Sequence, residues 1–217
     1  MRRLGLGVLM ALAGAQPAHA EAGEVLVRLR GILVAPTESS SGIQPSFPNE
    51  EVSVSNHFMP EVDFTYMATD HIAFELILAT TKHEVSGTTG VTGGIGDLAS
   101  SWVLPPTLTV QYHPFPNGPV RPYVGAGANY TIFYSEDASR ALEAAVGRTS
   151  VRMSDSFGWA VQAGVDVDVS ERVFLNFDVK YIDMDSTARL ETAAAGTQRV
   201  RISIDPIVVG AGIGMRF

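Results

Sequence analysis

The chain has no cysteine, so neither a disulfide framework nor a thiolate metal site is open to it. Beyond residue 20 it also lacks any run of the roughly 18 or more apolar residues that a transmembrane helix needs. Basic clusters are missing too. Its 23 acidic and 15 basic residues give a formal charge of −8, and no basic run along the sequence favours nucleic acid. His57, His71, His83 and His113 fall on separate segments without ligand-type spacing, and no metal or other cofactor is expected. Asp166-x-Asp168 and Asp183-x-Asp185 lack the glycine and glutamate of a calcium loop. Gly93-Gly94-Ile95-Gly96 does not open a helix after a strand, which predicts a flexible loop and not a nucleotide site.

What is present begins with Arg2 and Arg3, the apolar run Leu4 to Ala15, and Ala18-His19-Ala20. This is the pattern of a secretory signal peptide over residues 1–20, with cleavage expected after Ala20. The run is too short to span a bilayer. Residues 21–217 are then one domain, and loss of the two arginines takes the formal charge from −8 to −10.

Parity along that domain predicts eight strands, because side chains of a strand alternate between two faces. In the first, Val25, Val27, Leu29 and Leu33 share a face, with Arg28 and Arg30 opposite. The second, from about Val52 to Ala68, sets Val62, Phe64 and Tyr66 against Glu61, Asp63 and Thr65. The third sets Ile72, Phe74, Leu76 and Leu78 against Ala73, Glu75 and Ala79. Trp102, Leu104, Leu108, Val110 and Tyr112 oppose Thr107, Thr109 and Gln111 in the fourth. Val124 to Tyr134 alternates with Gly125, Gly127, Asn129 and Thr131 in the fifth, and Phe157 to Val169 alternates with Gln162, Gly164, Asp166 and Asp168 in the sixth. The seventh sets Val173, Leu175, Phe177, Val179 and Tyr181 against Asn176, Asp178 and Lys180. In the eighth, Val200, Ile202 and Ile204 are apolar at even positions, and Ile207, Val209, Ala211, Ile213, Met215 and Phe217 at odd ones. That switch at Asp205-Pro206 predicts a β-bulge.

Short links (Thr69–His71, Pro114–Pro119, Ser170–Arg172) alternate with long polar ones (36–51, 84–101, 135–154, 188–198). Such alternation, with an apolar outer face on every strand, predicts an up-and-down antiparallel transmembrane β-barrel of eight strands, both termini periplasmic. Trp102, Tyr130, Tyr134, Phe157, Trp159 and Tyr181 are expected in the outer aromatic girdle; Tyr66, Phe74, Tyr112, Phe174 and Phe217 are expected toward the inner half.

Several blocks carry more than architecture. Tyr66-Met67-Ala68-Thr69-Asp70, Leu104-Pro105-Pro106-Thr107, Arg121-Pro122-Tyr123-Val124-Gly125-Ala126-Gly127 with Asn129-Tyr130-Thr131, Gly164-Val165-Asp166, Tyr181-Ile182-Asp183-Met184-Asp185 and Asp205-Pro206 resemble the OmpW family in order and spacing. The resemblance implies a monomeric barrel of the Gram-negative outer membrane with a narrow, largely apolar lumen. It implies passage of small hydrophobic molecules, and a role as colicin or phage receptor. Residues 36–51 and 135–154 match no pattern of the family.

Eight strands leave an interior that side chains nearly fill. Arg28, Arg30, Glu61, Asp63, Glu75, Asp166, Asp168, Asp178 and Lys180 point inward, and a charge network plugging the periplasmic half is expected. Nearer the outer loops Ile77, Ala79, Val103, Pro105, Ile182 and Met184 predict an apolar cup. Pro60 and Pro105-Pro106 remove ladder donors and predict a weak place in the wall. Expected partners are outer-membrane lipids, the barrel assembly machinery acting on a closing strand that ends at Phe217, and small hydrophobic ligands. A passive receptor or adhesin is the alternative. An enzyme is not expected, since nothing in the sequence places a serine beside His83 and Glu84.

Overall fold

Strands that alternate polar and apolar residues can lie in hydrocarbon only if every backbone group is paired, which requires closure without an edge. The computed structural model describes residues 21–217 and contains that closure. The expected signal segment, with cleavage at Ala20, lies outside the described residues. The barrel strands are β1 (Val25–Ala35), β2 (His57–Met67), β3 (Ile72–Ala79), β4 (Thr107–Tyr112), β5 (Val120–Ala138), β6 (Ser156–Asp168), β7 (Val173–Ile182) and β8 (Ile207–Arg216). Each pairs antiparallel with the next, and β8 returns to β1. The ring is clasped at its turn end, where Val25 N donates to Phe217 O (3.1 Å) and Phe217 N to Val25 O (2.9 Å).

The two faces follow the parity of the sequence. Leu29, Phe64, Leu108, Val124, Phe177 and Val209 are exposed on the outer surface, while Arg28, Asp63, Glu75, Gln111, Asp166 and Asn176 are buried inside. The girdle aromatics lie on the outside except one. Phe174 holds an even position on β7 and is fully buried in the lumen, so its expected place in the inner girdle is corrected.

Four regions expected as plain polar loops are ordered extensions of the barrel. Seven of the eight strands break near the loop end, only β5 running through; the broken ones resume as Ser39–Ser40, Val52–Val54, Thr81–Gly87, Asp97–Leu104, Thr149–Met153, Asp185–Thr192 and Gly196–Ser203. Helix α1 (Gly90–Ile95) follows the strand Thr81–Gly87, and α2 (Arg140–Val146) precedes Thr149–Met153. The Gly93–Gly96 segment is therefore the end of a short helix and not a structureless loop. Gly96 (φ 82°) and Gly147 (φ 79°) stop the two helices in the left-handed region, where side chains are strained.

The bulge expected at Asp205-Pro206 is absent. Tyr181 pairs with Ile207 and, beyond the break, Asp185 pairs with Ser203, so both strands advance by the same number of residues. Even positions of the eighth strand face inward throughout: Val200, Ile202 and Ile204 above the break, Val208 and Arg216 below it. What inverts is the surroundings. Below the break the outside is hydrocarbon and the inside turns polar toward Arg216; above it the outside is water and the inside an apolar core.

Candidate functional site

The expected charge network splits in two. In the larger part three cations, Arg28, Arg30 and Lys180, meet five carboxylates, Glu61, Asp63, Glu75, Asp166 and Asp178. Arg28 reaches Asp63 and Asp166 (both 2.9 Å), and Arg30 reaches Glu61 (2.7 Å) and Asp63 (2.8 Å). Lys180 reaches Glu61 (3.0 Å) and Asp178 (2.6 Å). Gln162 and Thr109 donate to Glu75, and Asn176 donates to Asp166 (2.8 Å). An isolated ion buried this deeply costs several kcal/mol, so these groups are held inside only by one another.

Asp168 belongs to a second cluster nearer the turns, where Arg121 (2.6 Å) and Arg216 (2.5 Å) bind its two oxygens. Sequence reasoning missed both arginines and Tyr123, although all three stand at inward parity. The Phe174 ring lies 5.5 Å from the Arg28 guanidinium, 5.8 Å from that of Arg121 and 5.4 Å from that of Arg216. These contacts explain an aromatic on the polar face. Leu26, Met67 and Ala73 pack with Phe174 and complete the floor.

Above Glu61 and Lys180 the lumen opens into an apolar chamber of about 770 Å³, open solvent at its mouth included. All six expected cup residues line it: Ile77, Ala79, Val103, Pro105, Ile182 and Met184. Ile32, Val34, Met59, Phe133 and Val208 line it too. Their parity, opposite to the lipid-facing residues of the same strands, was the available signal. A second chamber, about 640 Å³ on the same measure, shares Val85 and Met153 with the first. Ile43, Phe47, Leu98, Leu142 and Leu190 help to enclose it, and among the described residues no charged side chain lines it.

The wall is thin beside the lower chamber. The β2–β3 ladder stops at Glu61↔Ala79. The β3–β4 ladder stops at Ile77↔Thr107 and resumes only at Thr81↔Val103, across Pro105 and Pro106, which have no N–H to give. Pro60 stands opposite Gly31 on the other side of β2.

The structure does bring a serine to His83, which the sequence did not suggest. Ser55 Oγ lies 2.7 Å from His57 Nε2 and accepts from Glu84 N (3.2 Å), while His83 Nδ1 donates to Ser55 O (3.0 Å). Among the described residues no carboxylate lies within ion-pair distance of either imidazole.

Comparison with known proteins agrees with this architecture. The chain is 38% identical over 214 residues to outer membrane protein W of Escherichia coli K12, covering 98% of this chain and 96% of the relative. It is 30% identical over 178 residues to the dibenzothiophene metabolism operon protein PahQ of Pseudomonas aeruginosa, covering 78% and 76%. The crystal structure of the outer membrane protein OprG from Pseudomonas aeruginosa superposes with a TM-score of 0.87 at 31% identity, over 93% of this chain and 99% of that one. The model of the OmpW family matches residues 21–217, and the chain belongs to that family of outer-membrane β-barrels.

Proposed function

We propose that the barrel carries small hydrophobic molecules from the cell exterior into the outer membrane. They would enter between the loops, rest in the apolar chambers, and leave sideways through the wall near Pro105-Pro106. The observation that carries this reading is an apolar chamber whose floor is shut by Arg30, Lys180 and Glu61 while its side wall lacks ladder bonds. An apolar solute gains nothing from the charged floor and is stabilised by roughly 25 cal/mol for each Å² of its surface taken out of water. The name of the relative PahQ, tied to an operon for an apolar heteroaromatic compound, is in keeping with such cargo.

The test is uptake of a fluorescent apolar probe into liposomes carrying the wild type or the pair Ile77→Asp and Met184→Asp. Two carboxylates in the chamber should reduce uptake at least tenfold while the barrel still folds. Equal uptake by both proteins overturns the reading and leaves a surface receptor as the better account.

A further inference from the structure

The outer sheet carries an arrangement that the channel does not use. Arg152 stands directly opposite Arg189, and Arg189 directly opposite Arg199, on three neighbouring strands. Arg201 follows on the same face, opposite Thr187. All four are exposed on the outside, while Val151, Leu190, Val200 and Ile202 form the core on the other face. Like charges placed directly opposite in a sheet repel each other. Nothing in the packing requires them, since any polar residue would serve a water-facing position.

Counter-charge on this face is short. Glu191 pairs with Arg189 (2.8 Å) with both side chains about half exposed. Asp185 accepts from the Ser203 hydroxyl (2.6 Å), and Glu136 accepts from Met153 N (3.3 Å) at one edge. Among the described residues, the guanidiniums of Arg152, Arg199 and Arg201 make no ion pair or hydrogen bond. In an acidic chain, four of 15 basic residues share this one patch.

The height of the row identifies the partner. Phe157 is a lipid-facing girdle aromatic, and Arg152 lies about five residues farther along the same strand line. At about 3.3 Å per residue and a tilt near 40°, the row stands roughly 13 Å above Phe157, and since Ser156 pairs with Thr131, Arg152 lies only about one residue beyond the level of the girdle residue Tyr134. That is the polar edge of the girdle, at the level of the headgroups and inner sugars of outer-leaflet lipids. Guanidinium groups bind phosphate by two parallel hydrogen bonds, and neighbours one strand apart can hold successive phosphates. We propose that Arg152, Arg189, Arg199 and Arg201 form a binding surface for the phosphate groups on the core sugars of the outer-leaflet glycolipid.

The experiment titrates the folded protein in detergent with delipidated, phosphorylated core oligosaccharide of lipopolysaccharide, measured calorimetrically. The wild type should bind it. The triple variant Arg152→Gln, Arg189→Gln, Arg199→Gln should bind at least tenfold more weakly, and enzymatic removal of the phosphates should weaken wild-type binding as much. The thermal midpoint of the triple variant, without glycolipid, should equal or exceed that of the wild type, since repulsion has been removed. If the triple variant does not fold, Arg152→Gln and Arg199→Gln singly carry the test, each with at least a threefold loss. Undiminished binding by the variants, or by the dephosphorylated oligosaccharide, overturns the proposal. So does equal affinity for dextran sulfate, which would make the row a general polyanion surface.

Discussion

Replacing Arg30 by methionine tests whether the plug is held by mutual neutralisation. Arg30 has four carboxylates around it: Glu61 at 2.7 Å, Asp63 at 2.8 Å, Glu75 at 3.4 Å and Asp178 at 3.8 Å. Five carboxylates already face three cations there, so the variant leaves five facing two. Removing one partner of a buried pair costs about 3–5 kcal/mol, because the remaining charge stays buried without compensation. With a urea slope near 2 kcal/mol/M, that lowers the unfolding midpoint by roughly 2 M. Trp102 and Trp159, the only tryptophans, both sit on the outer surface and report unfolding by fluorescence in lipid micelles. The double variant Arg30→Met, Glu61→Met removes a carboxylate with its cation and leaves Lys180 paired with Asp178. It should be more stable than the single variant by at least about 1 kcal/mol, a coupling of the size contacting residues show. A single variant that loses less than about 1 kcal/mol, or a double variant that loses more than the single, would show that the plug is not held by mutual neutralisation.

Two further outcomes test other parts of the fold. A Cβ at Gly214 would lie 2.2 Å from Phe174 Cζ, so Gly214→Ala should cost about 1–3 kcal/mol of overpacking, while Gly94→Ala, inside α1 with nothing within 4 Å, should leave the thermal midpoint unchanged or raise it. Glu50 ties the first outer segment to α1 by accepting from Val91 N (2.9 Å), Thr92 N (2.8 Å) and Thr92 Oγ1 (2.6 Å), bonds that hold its carboxyl below the usual carboxylate range. A depressed carboxyl stabilises the folded form above its unfolded-state pKa and ceases to do so as pH falls through the folded value. Protection of the Val91 and Thr92 amides, taken relative to their intrinsic exchange rates, should therefore stay high at neutral pH and fall only below the usual carboxylate range, and Glu50→Gln should make it low throughout; protection that ignores both changes would show that the tie does not hold the helix.

The membrane-spanning half was legible because lipid imposes one rule on every strand. An outward residue must be apolar, so parity alone separated Leu29 from Arg30 and Phe177 from Asp178. The outer half obeys the opposite rule, and there the same alternation was harder to assign. Val200, Ile202 and Ile204 looked like a change of register because their face was taken to be the lipid face. Leu142 and Val146 on α2, and Ile43 and Phe47, had no repeating pattern to mark them as walls of a chamber. Phe174 broke parity for a reason that lies in three dimensions, since its ring packs against arginines from β1, β5 and β8. Ser55 met His83 for a similar reason: strand pairing, which no local pattern encodes, brings residues 28 apart into contact.

Register that runs unbroken through Asp205 makes the eighth strand a rigid ruler for the entire length of the protein. A residue inserted at Pro206 would leave the lower half paired as before but turn the upper half over. Val200, Ile202 and Ile204 would then face water, and Arg199 and Arg201 would enter the apolar chamber. Insertions between strands, at the turns or loop tips, shift no face at all. Change in length is thus forbidden at a point that looks like a loop and free where the chain reverses. Variation in the outer region is channelled into the tips and into single substitutions on the water-facing side, while the interior column from Arg216 to Val200 stays in step.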